Sequence, residues 1–493
     1  MRHEGATRVR GLIGRYLATA ILLAALALML QPRDGAAATR PFATGLSGLR
    51  EFNPLSFERT RGTGAGFIRI VVEWPSIAPK SRPASWQPQD PADPNYNWSN
   101  LDTGVTEAVR AGLNPVLLVD GAPTWAQRCK APPNLQVGQM CDPDPAALAD
   151  FATAAARRYS GAFGGLPRVQ YWQGLNEPNL TLFFYPQFNT EFKSLSPGLY
   201  RALANSFYGA VKAVDPSNLV IAAGLGPTEL HGYNIGPLRF TRELLCMKGR
   251  EHPKPIKGAC PGGVHFDIFD IHPYSTGGPT HEGGPNDVQI GGLARLQVLL
   301  KAADRANMIR GEFKRTPLWI MEFSWDSDPP DPGGLPMNIL TQWTAEAMHE
   351  AWAAGVTHFF WYSLRDEPFD PNNPVTVQSG LYFRGDSLAN DQPKEVLTTF
   401  RFPFVAFARR KGLEYWGRTP TSSGGTVEIQ VLRGGKWKRA AYVRASSNGV
   451  FIGTAKTRYG KGKRGAARAL FGPRTSVPFP MKRVGDFRHS PFG

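Results

Sequence analysis

Two carboxylates stand at the ends of stretches that otherwise read as buried strands: Glu177 in "YWQGLNEPNL" (171–180) and Glu322 in "TPLWIMEFSW" (316–325). Pro178 has no N–H to give to a ladder, so the first strand stops where its polar residues begin. Neighbouring strand residues point to opposite faces, so Asn176 and Glu177 share one cavity only if the strand ends or bulges there. A pair of carboxyls flanking one bond is the equipment of glycoside hydrolysis. One protonates the departing oxygen while the other attacks or activates water. Asn176 is placed to hydrogen-bond a sugar hydroxyl.

The other strand-like stretches end in further polar and aromatic groups. "FIRIVVEWP" (67–75) carries Arg69, Glu73 and Trp74; "NPVLLVDGAP" (114–123) brings Asp120, with Trp125 just beyond; "FDIFDIHPYS" (266–275) ends in His272 and Tyr274. Trp325 closes the Glu322 stretch, and Trp361 lies in "THFFWYSLRD" (357–366). Aromatic rings suit the apolar C–H faces of sugars. Trp125 and Trp361 read equally as sugar platforms or as packing, and His272 as a substrate contact or a hydrogen-bonded wall residue. Glu73 and Asp120 fit supporting or substrate hydrogen-bonding roles. His272 has no partner at ligand spacing, so a metal site is not expected, and the glycosidase chemistry calls for no cofactor.

Between these stretches lie helix-like segments: 101–113, 145–161, 198–215, 291–306 and 338–355, with a closing one at about 394–411. Near-continuous apolar strands alternating with amphipathic helices imply a parallel sheet covered on both faces. Strand starts near 42, 67, 115, 169, 218, 266, 317 and 357 give the eight units of a (β/α)8 TIM barrel, whose strand ends build the site. No glycine-rich phosphate turn follows the first strand, against an open doubly wound sheet. After residue 412, alternating apolar and polar residues with turns at "RGGK", "SSNG" and "YGKG" predict a small C-terminal β-sandwich, ending in a poorly ordered Pro/Arg-rich tail. The expected division is therefore 1–38, 39–412 and 413–493.

"GLNEPN" resembles the acid/base strand of clan A glycoside hydrolases, and "LWIMEFSW" their nucleophile strand. "RIVVEWPSIAP", "PVLLVDGAPTWA" and "DIHPY" follow the order of family 39 and family 5 members. Family 5 carries a His at the end of strand 3, where this chain has "DGAPTW", so family 39 is the better likeness. It covers about residues 42–412. The resemblance implies retaining hydrolysis of a β-linked sugar in a poly- or oligosaccharide, with Glu177 as acid/base and Glu322 as nucleophile about 5–5.5 Å apart. It also implies that Arg69 and Tyr274 hold Glu322 ionised, while burial and the Glu322 charge keep Glu177 protonated at rest. Endo and exo action both remain open; the 246–260 and 276–290 loops are candidates for a wall at one end of a cleft. The rival reading is a catalytically silent carbohydrate-binding or envelope-scaffold protein on the same barrel.

The 493 residues carry a net charge of +16, and from Leu413 onward there are 16 Lys and Arg against three acids. Arg2, Arg8, Arg10 and Arg15 precede the apolar run "LATAILLAALALML" (17–30) and small residues follow, the layout of a secretory signal cut after Ala38. Fourteen residues are short for a membrane span, and no Cys follows for lipidation. The expected location is thus secreted or in the cell envelope. Export argues against a nucleic-acid partner for the basic tail and for an anionic envelope polymer. Four cysteines, Cys129, Cys141, Cys246 and Cys260, suggest disulfides, with three connectivities open; the local pairs would each staple a short loop.

Overall fold

The computed structural model describes residues 39–130, 140–370, 376–457 and 465–493; the expected leader, 1–38, lies outside the described residues. Eight parallel strands close on themselves in the order β1-β8-β7-β6-β5-β4-β3-β2. They are β1 (Ala43–Ser47), β2 (Phe67–Glu73), β3 (Asn114–Asp120), β4 (Tyr171–Gly174), β5 (Leu219–Leu225), β6 (Ile268–Ile271), β7 (Leu318–Ile320) and β8 (Val356–Tyr362). Each is followed by a helix: α1 (Pro54–Gly62), α2 (Ser99–Arg110), α3 (Pro145–Arg158), α4 (Ser196–Val214), α5 (Pro237–Leu244), α6 (Leu293–Arg305), α7 (Met337–Ala354) and α8 (Glu395–Arg401). Among the described residues no helix is long and apolar enough to cross a membrane.

Local chemistry sets the helix ends. Asp144 caps α3 through the N–H of Ala146 at 3.0 Å, with Pro145 in the first turn where a missing N–H is harmless. Gly355, at φ 103°, ends α7 in the left-handed region a side chain resists. Inside the barrel, Val116, Ile221, Ile268, Trp319, Met321 and Phe360 form a separate apolar cluster, with Phe67, Tyr171 and Leu219 packed against it. The lumen is a filled core rather than a pore.

The closing helix expected over 394–411 stops at Arg401. Pro403 explains this, because it cannot donate to a helix and pushes Phe402 out of helical geometry, to φ −131° and ψ 68°. The chain then turns into β9 (Phe404–Arg409), which pairs antiparallel with β10 (Gly412–Arg418), so residue 412 falls inside a hairpin. With β11 (Gly425–Arg433), β12 (Lys436–Ala445), β13 (Val450–Ala455) and β14 (Ala466–Phe471), these make two antiparallel sheets, β9-β10-β13 and β12-β11-β14. Residues 40–493 form one compact unit. Trp416 of β10 joins sheets to barrel, its ring 5.7 Å from Phe42 and 5.8 Å from Trp352 on α7.

The last residues correct the expectation of a loose tail. Arg483 pairs with Glu346 on α7 at 3.5 Å, and the Phe487 ring lies 4.6 Å from Trp343, one turn nearer the helix start. The segment thus climbs α7 from the sheets to the barrel mouth. Cys129–Cys141 and Cys246–Cys260 are both disulfide-bonded. The first lies between β3 and α3, on the mouth side. The second lies between α5 and β6, at the opposite end, so the 246–260 loop is not a wall of the site.

Candidate active site

On strands, every second residue shares a face. From the apolar cluster upward, the inner face runs from Phe67 to Arg69 on β2, Tyr171 to Gln173 on β4, and Ile268 through Asp270 to His272 on β6. The layer above the apolar floor is therefore polar, and it is buried: Arg69 is 3 % exposed, and Gln173, Asp270 and His272 are 0 %. Buried polar groups need partners, and these have them. Arg69 Nε donates to Gln173 Oε1 at 2.8 Å and Nη2 to Asn176 Oδ1 at 2.8 Å, while Nη1 pairs with Glu322. Gln173 Nε2 donates to Asp270 Oδ2 at 2.8 Å, and Asp270 Oδ1 accepts the Met321 N–H at 2.9 Å. His272 Nε2 meets Asp270 Oδ2 at 3.1 Å and its Nδ1 meets Glu177 Oε1 at 2.9 Å.

The strand carrying Glu177 ends at Gly174, as Pro178 implied. Leu175 (φ 68°) and Glu177 (φ 41°) then both enter the left-handed region, which costs about 1–3 kcal/mol each for such residues. The Leu175 N–H donates to Val119 O at 2.9 Å and that of Glu177 to Gly224 O at 3.1 Å, fixing the swivel. It brings Asn176 and Glu177 to the same mouth. Gly224 is required there: a Cβ would sit 2.7 Å from Gln173 Nε2 and 3.0 Å from Asp270 Oδ2.

Glu322 receives Arg69 on one oxygen and the Tyr274 hydroxyl on the other, at 3.1 Å. His272 Nδ1, already 2.9 Å from Glu177 Oε1, is 3.8 Å from Glu322 Oε2. Those two oxygens are no farther apart than the sum of these distances. That limit sits at the short edge of the about 6.5–9.5 Å of an inverting pair and admits the about 5–5.5 Å of a retaining one.

Burial pushes the Glu177 carboxyl up, and the Glu322 charge pushes the same way against the opposing pull of His272. Burial works against a charge on His272, but Glu322, Asp270 and Glu177 outweigh it and raise its pKa to about 10. The ring is thus an imidazolium at neutral pH, donating to Asp270 and Glu177. Burial and the neighbouring Glu322 charge thus both favour the neutral acid at Glu177. Burial and the Glu322 charge also raise Tyr274 well above an ordinary phenol, keeping its proton available to Glu322. The Asp120 carboxyl, raised by burial to about 6, accepts the Asn176 N–H at 3.2 Å and so positions the loop rather than the chemistry.

The tryptophans divide differently from expectation. On β8, Phe360 faces the lumen, so Trp361 faces outward: it is 0 % exposed, lies 6.3 Å from Phe400 of α8, and donates its N–H to Ser379 O at 2.7 Å. It is packing, not a sugar platform. Tyr362, one residue on, takes the mouth-facing place, and burial and then the Glu322 charge raise its hydroxyl to about 12. Trp325 is also 0 % exposed, donating to Ser275 O at 3.2 Å and packed on Trp343, so it supports the wall from behind. Trp125 is half-buried in an aromatic group with Trp74 and Trp86, its N–H on Pro79 O at 2.7 Å. Glu73 lies at the end of β2, exposed and paired in register with Asp120. Gln173 and Asp270 were not singled out in the sequence. Their signal is a polar residue inside an otherwise apolar strand. Among the described residues, no cluster of three His, Cys, Asp or Glu side chains is arranged to hold a metal.

No protein-family profile matches the sequence, and no curated protein matches it. Solved structures do match the fold. A family 39 glycoside hydrolase from the gut symbiont Bacteroides cellulosilyticus WH2 superposes with a TM-score of 0.51 at 17% identity, covering 85% of this chain and 79% of that one. A family 39 β-xylosidase from Caulobacter crescentus does so with a TM-score of 0.50 at 14% identity, covering 80% and 84%. The chain therefore has the barrel fold of family 39 glycoside hydrolases, in agreement with the clan A likeness of its strand-end motifs.

Proposed function

We propose that this protein is a retaining glycoside hydrolase acting on a β-linked sugar in an oligo- or polysaccharide. The observation that carries the reading is the convergence of Glu177 and Glu322 on one nitrogen of His272, with unlike hydrogen-bond partners. Glu322, bound by Arg69 and Tyr274, attacks the anomeric carbon as the glycosidic C–O bond breaks, and Glu177 gives its proton to the departing oxygen. His272 donates to Glu177 Oε1, which leaves Oε2 to carry that proton and then stabilises the carboxylate that remains. Once Glu322 is esterified its charge is gone, and Glu177 becomes the base that takes a proton from water. The water oxygen bonds to the anomeric carbon and Glu322 departs as a carboxylate. Asn176, held by Arg69, is placed to bind the hydroxyl beside the reacting centre.

A panel of aryl β-glycosides of pentoses, hexoses and hexuronic acids identifies the sugar. The matching 2-deoxy-2-fluoro glycoside is then expected to add one sugar mass to the peptide containing Glu322. No label, together with a Glu322→Gln variant as active as the native chain, defeats the reading in favour of a silent binding protein.

The same proposal places the enzyme outside the cytoplasm, on the strength of the basic and apolar segment before Ala38. Its basic C-terminal sheets hold it on an anionic envelope polymer. Retention on such a polymer should fall steeply as salt rises from 50 to about 500 mM; salt-independent retention counts against it.

A further inference from the structure

The segment 486–493 reaches mouth loops more than 160 residues away in sequence and is fastened there by several independent contacts. The Asp486 carboxylate accepts the Gly278 N–H with one oxygen and meets His281 Nδ1 at 3.2 Å with the other. The His489 N–H donates to Thr276 O at 3.0 Å, and Pro491 O accepts the Asp326 N–H at 2.7 Å. Thr276 and Gly278 follow β6, and Asp326 lies four residues after Glu322. The segment therefore bridges the two mouth loops that carry Tyr274 and Glu322. Its last aromatic ring, Phe492, packs 4.9 Å from Tyr274 at 55°, and stays only half-buried. Phe492 thus leans, tilted, against the tyrosine that hydrogen-bonds Glu322, and part of it stays exposed.

The inner core is apolar and closed below, and the polar layer above it is satisfied without the segment. What the segment changes is the shape of the opening. The sugar that bonds to Glu322 is the glycone, the unit on the non-reducing side of the cleaved bond. A further unit attached to that sugar on the Tyr274 side would meet Phe492. We infer that residues 486–493 form a wall of the glycone subsite, with Phe492 as the residue that limits how many sugars fit beyond the cleaved bond, so that the enzyme works from chain ends. The inference deepens the glycosidase reading and rests on it.

The test compares the native full-length chain with Phe492→Ala and Asp486→Ala, the second freeing the segment while keeping its aromatic ring. Two substrates suffice: the aryl β-glycoside hydrolysed in the panel, and a linear pentasaccharide of the same sugar. Shape rejection in an apolar pocket is worth about 10–200-fold. Phe492→Ala should therefore raise the ratio of kcat/KM for pentasaccharide to aryl glycoside by about tenfold or more, mainly through KM. Asp486→Ala should shift it the same way by less. Products from the pentasaccharide should change from monosaccharide alone to include disaccharide released from the non-reducing end. An unchanged ratio and product set in both variants overturns the wall. That result leaves the glycosidase reading intact provided Glu322→Gln is inactive, and an active Glu322→Gln removes both.

Discussion

The mouth and the floor of the barrel each enclose a histidine, and the two titrate in opposite directions. His358 on β8 stacks on Trp319 with ring centres 3.8 Å apart and meets Phe67 edge-on at 4.8 Å. Burial alone pushes its pKa down to about 3, and the ring is neutral. His272 is fully enclosed where His358 is part-buried, yet the carboxylates around it raise its pKa to about 10. Enclosure by itself makes a histidine a packing residue; enclosure among acids makes it a fixed cation. The first lies among the rings that fill the barrel's base, and the second is hydrogen-bonded to the Glu177 carboxyl at its rim.

The largest way to break this contrast is at the rim. Glu177→Gln keeps the shape and removes the transferable proton. It should lower kcat/KM by about 10²–10⁴-fold on substrates with poor leaving groups, and much less on dinitrophenyl glycosides, whose leaving oxygen needs no proton. Equal losses on both would mean that Glu177 is not the acid. Next is Asp270→Ala, which strands His272 and Gln173 without their shared acceptor. Removing one partner of a buried pair costs about 3–5 kcal/mol, read as a lower midpoint in denaturant.

His272→Gln takes away a cation that pulls the Glu177 pKa down, so the alkaline limb of the kcat/KM profile should move to higher pH. A limb that stays in place would disconnect the two residues. The smallest effect belongs to the floor. His358→Phe should leave kcat/KM unchanged and cost under about 1.5 kcal/mol at neutral pH. The pH dependence of stability should separate the two residues. His272, raised in the fold, contributes fully below about pH 6.5 and progressively loses that contribution as pH rises toward 10. His358, lowered in the fold, contributes fully above about pH 6.5 and loses it as pH falls toward 3. The Phe variant should therefore flatten the acid side of the stability curve only.

Much of the barrel could be read in advance because its strands are apolar on both faces and bounded by Pro and Gly; every strand start fell within two residues of its expected place. The pair Glu177 and Glu322 was legible because strand ends in such a barrel share one mouth. Trp361 and Tyr362 were exchanged because apolar runs do not reveal which residues face inward. Only the register of Phe360 in the lumen fixes that phase. Gln173 and Asp270 escaped notice because their meaning lies in contacts 97 residues apart. The docked segment was missed for the same reason: Pro and Arg content describes a chain alone, whereas its order comes from β6 and β7 loops far away in sequence.

Only Phe402 and Pro403 separate α8 from β9. A connector that short, with a ring-locked φ and the Trp416 contact beside it, has no play. If, as proposed, the C-terminal sheets bind a polymer, that polymer is held at a set distance and angle from the two glutamates, as work is held by a jig. A tethered strand of polymer would be presented to the opening in one pose, whereas a looser hinge would let the catalyst graze over many.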